Sequence, residues 1–257
     1  MKLLTLARDL RRRKARERQG LFVVEGVRAV EELARSRLRT VGVLVAPQLA
    51  EAPRGQTLRS ALGSHGLDVV EVSEREFASA AETESPQGVL AIAEIPDRTL
   101  ESLEIGDHAR ILVLDAVQDP GNVGTLLRTA AALGATAVFS LPGTVDLWNA
   151  KVVRSAMGAQ FHHPALAGTW EDLEAFRASR QISLWGADVA GDAVGHGRVG
   201  GAAPPARLAL AVGNEGSGLS AHVRARAERL VSIPIAPHVE SLNVAVATGI
   251  LLHELRP

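Results

Sequence analysis

The chain has 257 residues, 46% hydrophobic and 22% charged, so it holds enough apolar material for a buried core and is not typical of a disordered chain. It contains no cysteine, which excludes disulfides, thiolate metal sites and cysteine nucleophiles. The formal net charge is −1, yet residues 1–40 hold 12 basic and 5 acidic side chains, whereas the remainder holds 16 and 24.

The chain opens with a predicted basic helix over residues 2–18, in which Leu3, Leu6 and Leu10 are spaced to form an apolar stripe. Clustered cations favour binding to a polyanion, because each neutralised phosphate releases counterions. A solvated helix face is the alternative, but the run is too one-sided for internal salt bridges to balance it. We therefore expect RNA contacts from Arg11, Arg12, Arg13, Lys14 and Arg16.

The start of the sequence also lacks the apolar segment and cleavage site of a signal peptide. No apolar run reaches the roughly 18 residues expected of a membrane span. These features predict a soluble protein of the cytoplasm.

The first part of the chain reads as a small α/β unit that ends near Pro96. After the basic helix, the pattern predicts helices over 28–36 and 58–63 and strands over 21–24, 41–46, 67–72 and 88–94. The polar stretch that follows predicts a linker. We expect a domain over 1–97, a linker over 98–108 and a second domain over 109–257.

The second domain alternates apolar strands with helices, which indicates a parallel sheet covered on both faces. The predicted strands cover 111–117, 137–141, 161–166, 182–187, 207–212 and 230–235. The predicted helices cover 123–133, 148–157, 170–179, 220–228 and 242–256, and a glycine-rich loop is expected over 190–203.

Three segments break this pattern, each at the carboxyl end of a predicted strand, where open α/β sheets bind ligands. The first, residues 115–128, contains a Pro120-Gly121 turn, Asn122 in position to cap the next helix, and Arg128 within that helix. Taken alone, Arg128 in a helix otherwise made of Leu, Ala and Thr is better explained as a solubilising surface residue.

The second segment, residues 213–220, is rich in glycine, which permits close backbone approach to a ligand. Its glycine order is not that of a dinucleotide fingerprint, which argues against a dehydrogenase. The third segment runs from Ile233 to the start of the last helix, where Ser241 is the expected N-cap. Asn243 in the first turn is harder to explain, because asparagine is a poor helix-interior residue.

The three segments, in order and with family-like spacing, resemble the three motifs of the SpoU (TrmH) family of RNA ribose methyltransferases within the SPOUT superfamily. Residues 22–32 and 86–92 resemble that family's substrate-binding domain, so nearly the whole chain is covered. The resemblance implies a SPOUT-type α/β fold with a parallel sheet and a C-terminal trefoil knot. It also implies a homodimer that pairs through the knotted domain, and it adds Arg28 to the expected RNA contacts.

The resemblance further implies S-adenosylmethionine as methyl donor, with contacts at Gly213, Ile233 and Leu242. It assigns the catalytic positions to Arg128, Asn122, Glu215, Ser241 and Asn243. Arginine stays protonated under ordinary conditions, so we favour Arg128 as an electrostatic stabiliser of the developing alkoxide over Arg128 as general base. The histidines have no ligand spacing, so we expect no metal.

Ribosomal RNA, most simply of the 23S type, is the expected substrate, because the chain combines a basic arm and an N-terminal domain with intact motifs. One alternative is a transfer RNA 2′-O-methyltransferase, although the long N-terminal domain argues against it. The other is a non-catalytic RNA-binding or ribosome-assembly factor on the same fold. The sequence does not identify the nucleotide, nor whether the role is housekeeping or antibiotic resistance.

Overall fold

The computed structural model describes residues 2–64 and 67–256. Its helices are α1 Lys2–Asp9, α2 Arg13–Gln19, α3 Val27–Arg35, α4 Pro53–Ser64, α5 Glu74–Ala78, α6 Pro120–Ala132, α7 Ala150–Ala156, α8 Ala159–His162, α9 Trp170–Arg180, α10 Ala221–Arg226 and α11 Val244–Glu254. Its strands are β1 Leu21–Glu25, β2 Thr40–Val45, β3 Val69–Glu71, β4 Val89–Glu94, β5 Ala109–Leu114, β6 Ala137–Ser140, β7 Ala165–Ala167, β8 Ser183–Gly195, β9 Arg198–Val199, β10 Arg207–Val212 and β11 Arg229–Ser232. Within these ranges, no helix is long and apolar enough to cross a membrane.

The chain forms two compact units, one of Met1–Asp97 with Trp148–His162 and the other of Arg98–Leu147 with His163–Pro257. The ends Met1 and Pro257 of the two predicted domains lie outside the described residues. The first unit thus takes in a segment from within 109–257. Aromatic packing holds that segment, because the Phe22 ring lies 4.4 Å from Trp148 and 5.9 Å from Phe161, centroid to centroid.

A sheet of order β1-β4-β2-β3 forms the centre of the first unit. β4 is antiparallel to both of its neighbours, and β2 is parallel to β3. Helix α1 buries Leu3, Leu4 and Ala7 in the core of this unit. Of the predicted stripe within this helix, Leu3 is buried and Leu6 is half-buried against the same core.

The predicted single helix over 2–18 is wrong, because the chain breaks after Asp9 and resumes helix at Arg13. The break lets Leu10 bury itself in the core, where it is 1% exposed. It also exposes main-chain carbonyls, and Arg16 reaches back to donate to Leu10 O at 2.8 Å and Arg11 O at 3.0 Å. A buried guanidinium thus replaces the lost helical hydrogen bonds.

A mostly parallel sheet of order β11-β8-β10-β5-β6-β7 forms the centre of the second unit, and β9 pairs antiparallel with β8. Neighbouring strands along this order are parallel, which confirms the predicted α/β sheet. β5 lies in its interior and is buried at every position, as expected of a strand covered on both faces.

Two predicted elements of the second half are wrong. The expected strand over 161–166 is helix α8 followed by the short β7. The expected loop over 190–203 is the end of β8 and a hairpin to β9, turning at His196 and Gly197 with φ of 51° and 70°. Positive φ at both turn residues suits a tight hairpin. Gly191 is needed because a Cβ there would lie 2.5 Å from the Leu230 carbonyl carbon.

Arg110, at the start of β5, joins distant segments of the second unit. It is 5% exposed and donates from Nε to Leu255 O at 2.5 Å and from Nη1 to Ala206 O at 2.7 Å and Ala109 O at 2.8 Å. The backbone just beyond α11 is therefore fastened to the central strand of the sheet. Burial lowers the pKa of Arg110 from its ordinary value.

We expect Arg110→Met to lower the free energy of unfolding by about 2–4 kcal/mol, because three carbonyls would lose charged donors. Urea denaturation would measure this loss. Arg39→Met is the matched control, since Arg39 forms an exposed ion pair with Glu94, and such pairs contribute about 0–1 kcal/mol. Equal losses in the two variants would contradict the structural role of Arg110.

Candidate active site

The first two predicted segments begin side by side at one edge of the sheet. β5 and β10 are parallel neighbours, with Leu114 opposite Val212 at their carboxyl ends. The loops that follow are tied together, since the buried Asp115 carboxylate accepts from Ser220 N at 2.7 Å and Ala116 O accepts from Asn214 Nδ2 at 3.0 Å. Ala116 has a φ of 57°, an unusual backbone conformation for a residue with a Cβ.

The glycine loop after β10 is a closed turn. Asn214 and Gly218 exchange both main-chain hydrogen bonds at 2.9 Å, and Asn214 Oδ1 accepts from Gly216 N at 2.9 Å and Ser217 N at 3.1 Å. Gly213 stands where the turn closes, and a Cβ there would lie 2.1 Å from the Gly218 carbonyl carbon. This close approach is the physical reason for glycine at position 213.

Glu215 extends from the turn to the start of α6. Its Oε1 accepts from Asn122 Nδ2 and from Asp119 N, both at 3.0 Å, and its Oε2 accepts from Gln118 N at 3.2 Å. Partial burial acts to raise the pKa of Glu215, but these hydrogen bonds outweigh it, so the pKa lies below its ordinary value. The carboxylate is therefore held in its charged form.

The cap of α6 is Asp119 rather than the predicted Asn122. Asp119 Oδ1 accepts from Asn122 N at 2.7 Å, and Pro120 occupies the first helical position. Capping by Asp119 leaves the Asn122 side chain available on the first turn. Its amide donates to Glu215 and its Oδ1 accepts from Asn243 Nδ2 at 3.0 Å.

The cap of α11 is Asn243 rather than the predicted Ser241. Asn243 Oδ1 accepts from Ala245 N at 2.9 Å and Val246 N at 3.4 Å, so the helix begins at Val244 and not at 242. A short amide side chain adjacent to the first turn is a favourable cap, which accounts for an asparagine that helix propensity left unexplained. The same side chain faces α6 with its Nδ2.

The structure thus brings Asn122, Glu215 and Asn243 together in one chain of hydrogen bonds that links all three predicted segments. Arg128 lies on the exposed surface of α6, six residues beyond Asn122. Ser241 and Leu242 are exposed in the loop over 233–243, and Ile233 is half-buried at its beginning. The third predicted segment therefore contributes a non-helical loop with apolar side chains, in addition to Asn243.

Sequence reasoning missed three residues that build the site: Asp115, Asp119 and Asn214. An aspartate directly before Pro120-Gly121 is itself a helix-start signal and could have identified Asp119. Asn214 also carried a local signal, because asparagine side chains commonly bond main-chain N–H groups two residues on. Asp115 acts through a residue 105 positions away, so only the tertiary structure shows its role.

The cations predicted to contact RNA differ in their exposure and in their partners within the protein. Arg11, Arg12, Arg13 and Lys14 are exposed, with Arg12 paired to Asp9 and Arg13 to Glu17. Arg16 as an RNA contact is wrong, because its buried side chain serves the main chain between α1 and α2. Arg28 is exposed at the start of α3.

Over residues 2–64 and 67–256, no group of three or more histidine, aspartate and glutamate side chains is arranged to hold a metal ion. The site described above is built from amides, the carboxylates of Asp115, Asp119 and Glu215, and tight backbone turns. Such groups bind and orient a ligand through hydrogen bonds.

We expect Gly213→Ala to lower the free energy of unfolding by about 1–3 kcal/mol, since its Cβ would force the Gly218 backbone to move. Gly216→Ala is the matched control in the same loop, because its Cβ would approach nothing nearer than Asn214 Oδ1 at 3.6 Å. Urea denaturation of both variants would test this. An equal loss of unfolding free energy in Gly216→Ala would contradict the close approach at position 213 as the cause.

We expect Glu215→Gln to destabilise the protein most at neutral pH. A carboxylate with a lowered pKa contributes stability above its unfolded-state pKa and loses that contribution as pH falls through its folded-state pKa. The difference from wild type should therefore shrink on acidification. Unfolding measured across a pH series tests this, with exposed Glu84→Gln as control. A difference independent of pH would contradict the charged network.

The chain is similar to known proteins along almost its whole length. The SpoU rRNA Methylase family matches residues 109–253, and an MRM3-like substrate binding domain matches residues 5–91. The chain is 34% identical to the 23S rRNA (guanosine(2553)-2'-O)-methyltransferase RlmP of Bacillus subtilis, over 97% of this chain and 94% of that protein.

Two solved structures are also similar. The AdoMet-bound SpoU methyltransferase AviRb of Streptomyces viridochromogenes superposes with a TM-score of 0.88 at 26% identity, covering 99% of this chain and 97% of that one. An AdoMet-bound rRNA methyltransferase of Sinorhizobium meliloti gives 0.83 at 28% identity, covering 99% and 94%. With its motifs joined at one sheet edge and relatives matched along almost their whole length, the chain belongs to the SpoU rRNA methylase family.

Proposed function

We propose that this protein methylates a ribose 2′-hydroxyl of 23S-type ribosomal RNA with S-adenosylmethionine as the donor. The chain of hydrogen bonds from Glu215 through Asn122 to Asn243 carries this proposal, because it unites the family's three motifs. The RlmP relative is named for 2′-O-methylation of 23S rRNA, and AviRb and the Sinorhizobium enzyme are described with AdoMet bound.

The groups of the site fit such a donor. An adenosyl group needs apolar surface and hydrogen bonds to backbone, and Gly213, Ile233 and Leu242 are the residues we assign to it. Gly213 brings two stretches of main chain close together, and the loop over 233–243 presents exposed apolar side chains at Val239 and Leu242. The donor supplies a methyl group activated by its positive sulfonium centre.

The protein's own residues act on the acceptor. A ribose hydroxyl is a weak nucleophile, so its oxygen must be stabilised as it forms the bond to the methyl group and its proton passes to solvent water. We assign this stabilisation to the guanidinium of Arg128. Asn122, Glu215, Ser241 and Asn243 are assigned to hold the acceptor and the surrounding loops, with Glu215 fixing the amide of Asn122.

The larger architecture is proposed on the same family basis. We infer a substrate-binding domain over 1–97, a linker over 98–108 and a methyltransferase domain over 109–257 that contains the trefoil knot. We also infer a homodimer that pairs through the knotted domain. The exposed apolar side chains Val246 and Ile250 on α11 support such a contact. Exposed Arg11, Arg12, Arg13 and Lys14 remain proposed RNA contacts.

We expect Arg128→Ala to reduce methyl transfer to rRNA by at least about 100-fold, a loss typical of removing one stabiliser of a developing anion. Donor binding should remain, because the donor site is assigned to other residues. Transfer of a labelled methyl group measures the first effect, and the thermal shift on adding S-adenosylmethionine measures the second. Arg180→Ala, at the exposed end of α9, is the control.

Near-normal turnover in Arg128→Ala would contradict the role of Arg128. Wild-type protein that methylates transfer RNA but not rRNA would overturn the substrate assignment. Wild-type protein that binds rRNA yet gives no thermal shift with the donor would instead support a non-catalytic factor.

A further inference from the structure

The first unit contains an open cleft of about 600 Å³ that lies outside the three motifs. Its walls come from the start of α3, the start of α4, the loop before β4 and the end of α7. Its lining includes Arg28, Arg54, Arg154, Glu25, Gln87 and Met157. Three arginines from three separate helices therefore meet in one cavity.

The charges of this cleft are not balanced within the unit. Arg54 donates from Nε to both Glu31 carboxylate oxygens at 3.0 Å. The buried Glu25 carboxylate is already engaged, since it accepts from Glu82 N at 2.9 Å and from the Thr83 hydroxyl. Among the residues that the structure describes, neither the Arg28 nor the Arg154 guanidinium has a hydrogen-bonding or ion-pair partner. Two exposed cations thus remain for a ligand.

The position of Arg28 is costly for stability. It is the second residue of α3, whose first turn has no acidic side chain. The amino end of a helix carries partial positive charge, so a cation there is unfavourable. The first main-chain N–H of this helix is also occupied, because Val27 N donates to Gln87 Oε1 at 3.0 Å. The pKa of Glu31 is lowered chiefly by its hydrogen bond with Arg54 and in small part by the nearby charge of Arg28, but Glu31 forms its ion pair with Arg54. An external anion would therefore find the Arg28 guanidinium without an ion-pair partner.

Arg154 lines the same cleft from another helix. It lies in the last turn of α7, and the helix ends at Met157 in a left-handed conformation with φ of 51°. Met157 is 40% exposed and adds an apolar surface beside the cations. Because both arginines stand on helices, only their side chains need to be ordered when an anion binds.

The basic segment formed by α1 and α2 is less suited to binding an anion than its sequence indicates. Asp9 accepts from Arg12, Arg18 and Gln19, Glu17 accepts from Arg13, and Arg16 is buried. Part of the positive charge of α1 and α2 is therefore neutralised within the protein, whereas Arg28 and Arg154 in the cleft have no ion-pair partner among the described residues.

From these observations we infer that the cleft binds the phosphate backbone of the RNA substrate, with Arg28 and Arg154 each contacting a phosphate. This inference rests on the proposed function, and it extends the expected RNA contact of Arg28 to a cleft shared with Arg154. Phosphate contacts of this kind position a nucleic acid and carry no sequence information themselves. The cleft would fix the register in which the RNA enters the methylation site.

The test uses the full chain and deproteinised 23S rRNA in filter binding over a salt series. Arg28→Ala/Arg154→Ala should weaken binding about 10-fold or more and reduce the slope of log affinity against log salt by about 1.4–1.8, as expected for two lost phosphate contacts. Arg28→Lys/Arg154→Lys should restore most of that slope. The control Arg37→Ala/Arg75→Ala removes two exposed arginines of the same unit that lie outside the cleft.

Thermal unfolding separates binding from folding. The Arg28→Ala variant should unfold at the same temperature as wild type or slightly higher, because an unfavourable helix-end charge is removed. In methyl transfer, the double variant should raise the KM for RNA and leave kcat nearly unchanged, since the cleft contributes binding rather than chemistry.

Equal losses in the cleft and control variants, wild-type affinity in the cleft variant, or no measurable binding by wild type would each overturn the inference. If wild type methylates rRNA while the cleft variant binds and turns over normally, only the inference fails. If binding depends on the cleft but wild type transfers no methyl group, only the proposed function fails.

Discussion

The candidate site depends on the hydrogen bonds that the Glu215 carboxylate accepts. This carboxylate accepts two main-chain N–H groups from the loop after β5 and the amide of Asn122, which in turn accepts from Asn243. One charged group therefore joins segments that lie about a hundred residues apart in sequence. Charge-assisted hydrogen bonds of this kind are stronger than neutral ones, so Glu215 sets the relative positions of the motifs.

The frame beneath this network is the parallel arrangement of β5 and β10. Because their carboxyl ends are in register at Leu114 and Val212, the loops that follow start adjacent to each other. Gly213 lets the second loop close tightly, and Arg110 at the opposite end of β5 fastens the backbone beyond α11. The same strand thus supports both the site and the terminal helix whose cap completes it.

Local sequence signals predicted most strands of the second unit and the three segments that the structure links, because apolar runs and strand-end glycines are properties of single segments. The caps were misassigned by a few residues at Asn122 and Ser241, since several polar residues near a helix start compete for one role. The break after Asp9 and the strand over 190–195 depend on tertiary packing, through Leu10 and the close approach of Gly191 to β11. No local pattern carries that information.

The hydrogen bond between Asn243 and Asn122 also has a consequence for the assembly of the site during protein synthesis. Its two asparagines are 121 positions apart, and β5 pairs with a strand formed about a hundred residues later. Each of these contacts needs both of its segments, and closing so long a loop costs conformational entropy. A partly synthesised chain therefore has no assembled site, and the competent site appears only once α11 has been made and seated against α6.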